Sequence, residues 1–185
     1  MSKALIVLDV QRGLTSLRDV SATLDKIKSI IMAFEKRSWP IVFIKHVDEQ
    51  DEQSSLYRQK TENLEIVLDT KQHPVFEKSK PSAFSNNELK KWLLARQVNH
   101  VFIVGFNMEY CCLFTAITAE HEGFQVTLIE DAAGTVNTED TYEMKGLDIP
   151  DFIGSILNWS GCVEVVYTDE LMESDVWNSP FNDVD

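Results

Sequence analysis

Three side chains in this 185-residue chain combine into one kind of chemistry: a nucleophile, a base and a fixed positive charge. Cys111 lies in GFNMEYCC, just inside a predicted helix start. Free backbone N–H groups and the positive helix end stabilise a thiolate there, and the same N–H groups suit an oxyanion hole. The competing reading is a small core residue, as most free cysteines are. That reading fits Cys112, which is turned about 100° around the helix and shares a face with Thr115, Ala116 and Ala119. It also fits Cys162, at a strand start. Asp9 closes the apolar run LIVLDVQ, where partial desolvation makes a carboxylate a usable base. A helix cap or loop anchor is the plainer alternative. Lys78, in FEKSKPSAF, can hold a thiolate or an oxyanion by charge, or be a solvated surface lysine. Lys80 is a rival that spacing alone does not remove.

Other chemistries lack their residues. His46, His73, His100 and His121 show no metal-ligand spacing, and there is no CxxC pair. No metal or cofactor is expected. No GxSxG elbow supports a Ser-His-Asp triad. His46 sits at a strand end, where it either touches substrate or is a satisfied structural histidine.

The elements that must position these groups alternate. Apolar runs of strand length, rich in β-branched residues, occupy 4–8, 41–44, 101–104, 126–129 and 162–167. Helical spacing over 19–36 puts Leu24, Ile27, Ile31 and Phe34 on one face. Ser85-Asn86-Asn87-Glu88 reads as a capping box opening a helix to about Arg96. Further helices are expected over about 109–122, ended by Gly123, and about 150–158, ended near Gly161. Continuously apolar strands between helices predict an α/β fold: a three-layer, doubly wound, Rossmann-like, mostly parallel sheet with helices on both faces. Ligands in such sheets bind beyond the carboxyl ends of the strands. That rule alone nominates Asp9, His46, residues 105–111 and Asp131. Residues 47–71 are polar and long for an idle connection, so a lid or an oligomer contact is expected. One domain over 1–173 and an acidic surface tail over 174–185 complete the organisation.

Composition narrows the partners. The net charge is −13 and the pI about 4.7, so nucleic acid and anionic membrane surfaces are excluded as default partners. An odd cysteine count with two adjacent is a poor disulfide framework. The N-terminal apolar run is too short for a signal sequence, and no stretch approaches a membrane span. A reducing cytoplasm is expected.

Taken together, three stretches resemble the isochorismatase-like superfamily of cysteine hydrolases. They are LIVLDVQ, FEKSKPSAFSNNELKKWL and GFNMEYCCLFTAITAEHEGFQVTLIEDA, in family order over roughly residues 3–135. The resemblance implies Asp9 as general base, Lys78 rather than Lys80 as the lysine, and Cys111 rather than Cys112 as nucleophile. It implies a cis peptide from Phe106 to Asn107, with the Asn107 and Cys111 N–H groups forming the oxyanion hole. It implies a small-molecule substrate and a homo-oligomer, dimer or tetramer. Leu14, His46, Phe106, Met108, Tyr110 and Thr135 are the expected substrate-binding residues.

The departures shape the reading. The region where nicotinamidases of the family carry metal ligands reads IKHVDEQDEQ, which supports neither the metal nor nicotinamide turnover. Met108 replaces a usual threonine or serine, and Arg12-Gly13-Leu14 replaces the usual opening. Retention of Cys111 favours C–N hydrolysis over the vinyl-ether cleavage of isochorismatases, which needs no cysteine. A vinyl-ether hydrolase using Asp9, or a non-catalytic binding protein on the same scaffold, are the alternatives.

Overall fold

The computed structural model describes residues 2–173, so the tail over 174–185, with Trp177 and Phe181, lies outside the described residues. In chain order the elements are β1 (Ser2–Leu8), α1 (Arg12–Thr15), α2 (Ser21–Lys36), β2 (Ile41–His46) and β3 (Val75–Lys78). There follow α3 (Asn87–Leu94), β4 (Val98–Gly105), α4 (Leu113–His121), β5 (Gln125–Ala133), α5 (Ile149–Trp159), β6 (Glu164–Val166) and α6 (Thr168–Glu173). The six strands form one sheet in the order β3-β2-β1-β4-β5-β6, every pairing parallel. This is the doubly wound arrangement, and its strand order reverses between β1 and β4.

The three layers follow from the period-two alternation of strand side chains. On β1, Ala4, Ile6 and Leu8 face one core with Leu89 and Leu93 of α3, Ala116 and Ala119 of α4 and Leu157 of α5. Leu5 and Val7 face the other core, with Ile27, Ile30, Ile31 and Phe34 of α2 and Leu171 of α6. Both faces are therefore apolar, as a fully covered parallel sheet requires.

Several boundaries differ from expectation. β3 was not apparent because it is a four-residue edge strand with no apolar run; only Lys78 in it is buried. Asn86, not Ser85, caps α3, accepting from the Glu88 N–H at 2.9 Å; Ser85 ends a short 3-10 turn over Ala83–Ser85. The helix expected from Glu109 begins instead as a π turn over Met108–Cys112. β6 starts two residues late. Cys162 is exposed rather than core, because its N–H is held by Ser160 Oγ at 3.1 Å in the turn after α5.

The polar segment after β2 is packed, not idle. Leu56 and Leu64 form a small third core with Val47, and Leu14 of α1 packs against it. Gly13 is required there, since a Cβ would lie 2.8 Å from Ser55 O and 2.9 Å from a Leu56 methyl. Bridges Gln11–Ile66 and Asp48–Tyr57 pin the segment beside the ends of β1 and β2.

Candidate active site

Each candidate group leaves the carboxyl end of a different strand. Asp9 follows β1 directly, with φ 51°, and its N–H donates to Ile44 O of β2 at 3.0 Å. Lys78 is the last residue of β3. Cys111 lies in the π turn after β4. Gly105 makes that turn possible. Its φ is 125°, and a Cβ would lie 2.0 Å from Leu8 O, so only glycine lets β4 pass β1 here. The next peptide, Phe106–Asn107, is cis.

Three residues remote in sequence meet at one ammonium group. Lys78 Nζ donates to Asp9 Oδ2 at 2.7 Å and to Cys111 Sγ at 3.1 Å, and lies 3.0 Å from His46 Nδ1. The Asp9 and Lys78 side chains are both fully buried, 0% exposed. Asp9 Oδ1 is buried with no hydrogen-bond partner, which leaves an acceptor ready for a proton.

Electrostatics set the resting protonation. Burial pushes the Cys111 thiol up to about 12, the Asp9 charge adds to it, and Lys78 offsets only part. Burial pulls the Lys78 ammonium down, but Asp9 and Cys111 outweigh it and the net shift is upward. Burial, then the Lys78 charge, hold His46 below its ordinary value. A neutral thiol therefore rests beside an Asp9–Lys78 ion pair and a neutral imidazole. This differs from the thiolate expected of a helix start, because desolvation exceeds the field of one short turn. Since the Lys78 ammonium can only donate, His46 Nδ1 accepts and its proton is on Nε2.

A cavity of about 250 Å³ opens onto these groups. Asp9, Leu14, His46, Asn107, Tyr110 and Cys111 lie on its wall. Asn107 and Cys111, the expected oxyanion-hole pair, both line it. Three expected substrate-binding residues are elsewhere. Phe106 and Met108 are fully buried, each in a different core, because the chain alternates sides of the sheet as it leaves β4. Thr135 is nearly buried and donates to Glu109 Oε1 at 2.8 Å instead. Asp131 is also committed elsewhere, accepting from the Thr168 N–H and hydroxyl at 2.9 and 2.7 Å.

Other residues enter that sequence reasoning did not assign. Ser54, Ser55 and Leu56 of the long segment line the cavity, as does Pro81. Gln11 is fully buried and clamps the end of β2: its Nε2 donates to His46 O at 3.0 Å and its Oε1 accepts from the His46 N–H at 2.8 Å. The signal was the glutamine two residues after Asp9, a buried amide that needs partners.

Asp9, His46 and Cys111 place three ligand-type atoms within 4.8 Å of one another. The Lys78 ammonium is within hydrogen-bonding reach of all three. It sits where a cation would, so this trio does not suit a resident metal. No helix among the described residues is long and apolar enough to cross a membrane.

Comparison with known proteins bears on the family and the fold. The isochorismatase domain matches residues 3–148. A secreted isochorismatase effector of Verticillium dahliae is 24% identical over 166 residues, covering 83% of this chain and 86% of its own. Nicotinamidase 3 of Arabidopsis thaliana is 26% identical over 151 residues, covering 74% and 75%. The crystal structure of a cysteine hydrolase from Pseudomonas syringae superposes with a TM-score of 0.79 at 19% identity, covering 92% of this chain and 90% of that one. With that domain spanning most of its length, the chain belongs to the isochorismatase family of hydrolases.

Proposed function

We propose that the protein is a cysteine hydrolase that cleaves a C–N bond in a small amide or carbamoyl substrate. The observation that carries this is Lys78 Nζ bridging Asp9 and Cys111 beside a cavity. Asp9 takes the Cys111 proton as sulfur attacks the carbonyl carbon, and Lys78 holds the sulfur charge as it forms. The Asn107 and Cys111 N–H groups take the oxyanion. As the C–N bond breaks, protonated Asp9 gives its proton to the leaving nitrogen. A thioester remains on Cys111. Asp9 then takes a proton from water, the hydroxide attacks the thioester, and the proton returns to sulfur with release of the acid. The high resting pKa of Cys111 suits this scheme, because proton transfer is then coupled to attack rather than completed in advance.

Work in a reducing compartment belongs to the same reading, since Cys111 must stay a thiol. So does self-association. The outer faces of α4 and α5 leave Phe114, Ile117, Phe152, Ile156 and Trp159 exposed, with Trp159 at 89%. Exposed apolar residues at helical spacing are a feature of subunit contacts.

A hydrolysis screen over small amides, carbamoyl compounds and isochorismate tests the function. Cys111→Ala is expected to abolish C–N hydrolysis, at least about 10³-fold, with the fold intact. Turnover of isochorismate that survives Cys111→Ala and is lost in Asp9→Ala would instead assign vinyl-ether hydrolysis.

A further inference from the structure

The π turn that carries Cys111 also joins a polar network that the scheme above does not use. Glu109 is buried, and its Oε1 accepts from three groups: Thr135 Oγ1 at 2.8 Å, Asn137 Nδ2 at 2.7 Å and the Tyr142 hydroxyl at 3.0 Å. The Tyr142 oxygen also lies 2.8 Å from the Tyr110 hydroxyl. Tyr110 is on the cavity wall beside Cys111.

Counting protons fixes the direction of this chain. Asn137 Nδ2 can only donate. The Asn137 backbone N–H donates to Thr135 Oγ1 at 3.1 Å, so the Thr135 proton goes to Glu109. Tyr142 has one hydroxyl proton and two oxygen neighbours. Given to Tyr110, it would leave the Tyr142 oxygen and Glu109 Oε1 facing each other, lone pair to lone pair, at 3.0 Å. A proton on Glu109 relieves that contact only at Oε1, which already holds two donors, whereas Oε2 is buried without a partner. Tyr142 therefore donates to Glu109, and Tyr110 donates to Tyr142. Burial and the Glu109 charge push the Tyr142 phenol well up, so it keeps its proton.

We infer that Tyr110 is a specificity residue: its proton is committed to Tyr142, its oxygen offers only lone pairs, and the cavity favours substrates that present an N–H or O–H donor to that wall. A ligand presenting only an acceptor there meets lone pairs with lone pairs. Glu109 and Tyr142 are positioning residues that act through Tyr110. This rests on the reading that substrate binds beside Cys111, but not on which bond is cleaved.

Alkylation tests it without a known substrate. Initial rates at Cys111 are read by peptide mass spectrometry at pH 9, relative to exposed Cys162 in the same chain. Buried Cys112 remaining unmodified reports an intact fold. Two reagent pairs differ in a donor: iodoacetamide against N,N-dimethyliodoacetamide, and N-(2-hydroxyethyl)iodoacetamide against its 2-methoxyethyl counterpart. The Cys111-to-Cys162 ratio is expected to favour the donor member of at least one pair by about tenfold, one hydrogen bond's worth. Tyr110→Phe removes the lone pairs and should reduce that preference to within about twofold. Tyr142→Phe frees the Tyr110 proton to turn toward the reagent and should do the same. A purely structural role would slow both members equally and leave the ratio unchanged. Equal wild-type ratios in both pairs, or a preference that survives Tyr142→Phe with Cys112 protected, overturns the inference. The hydrolysis screen with Cys111→Ala is a separate readout, so loss of the hydrolase reading would be seen independently.

Discussion

At the scale of single residues, the chemistry is a matter of who holds the proton. Cys111, Lys78 and Asp9 stood out as candidates from their places at element ends, and the family resemblance gave them the expected roles of nucleophile, charge and base. Choosing Lys78 over Lys80 needed the family register. The structure adds the reason: Lys78 is fully buried against Asp9, while Lys80 is exposed. The state of the sulfur was not readable. A helix start suggested a thiolate, but burial and Asp9 hold the thiol up to about 12. The rate of Cys111 alkylation by iodoacetamide should therefore climb about tenfold per pH unit from 7 to 11. A plateau already reached near pH 7 would mean a preformed thiolate and would contradict the resting state described. Phe106 and Met108 were misplaced because sequence proximity to a nucleophile does not say which side of the chain faces the cavity.

At the scale of elements, five of six strands were visible as apolar runs, and α2 as a periodic face. β3 was not, because an exposed four-residue edge strand carries no hydrophobic signal. The π turn was not either, since nothing in MEYCC separates five residues per hydrogen bond from four. The β4–β5–β6 layer carries a pH dependence. His100 on β4 is buried, and its Nε2 lies 2.8 Å from Thr127 Oγ1, whose proton goes to Glu164 at 2.6 Å. The imidazole must then donate from Nε2. Burial, with the Lys3 charge, pulls His100 to about 4 from 6.5. Between those values the unfolded chain binds more protons than the folded one, so stability falls as pH drops from 6.5 to 4 and levels off below. The full effect is on the order of 3 kcal/mol. Denaturant titrations of the wild type and His100→Gln across pH 4.5–7.5 check it. The variant should lose most of the slope. Parallel slopes in the two proteins would rule His100 out as its source.

At the scale of the whole molecule, composition spoke to what the protein avoids more than to what it binds. A charge of −13 disfavours polyanions, yet the helical faces of α4 and α5 present apolar side chains. Sedimentation velocity is expected to show a species larger than the monomer. Phe152→Glu combined with Ile156→Glu should shift it to monomer with an unchanged far-ultraviolet spectrum. A wild-type monomer at micromolar concentration would end that expectation. Doubly wound topology itself was legible, because helices alternating with continuously apolar strands admit few other layerings. The topology has a consequence for assembly as well. Asp9 and Lys78 are 69 residues apart, Lys78 and Cys111 another 33, and they touch only when β3, β1 and β4 all hold register. A fragment that lacks any one of these strands cannot hold all three groups together, so their joint chemistry belongs to the assembled sheet. A titration of reactive Cys111 therefore counts only molecules in which all three strands are in place.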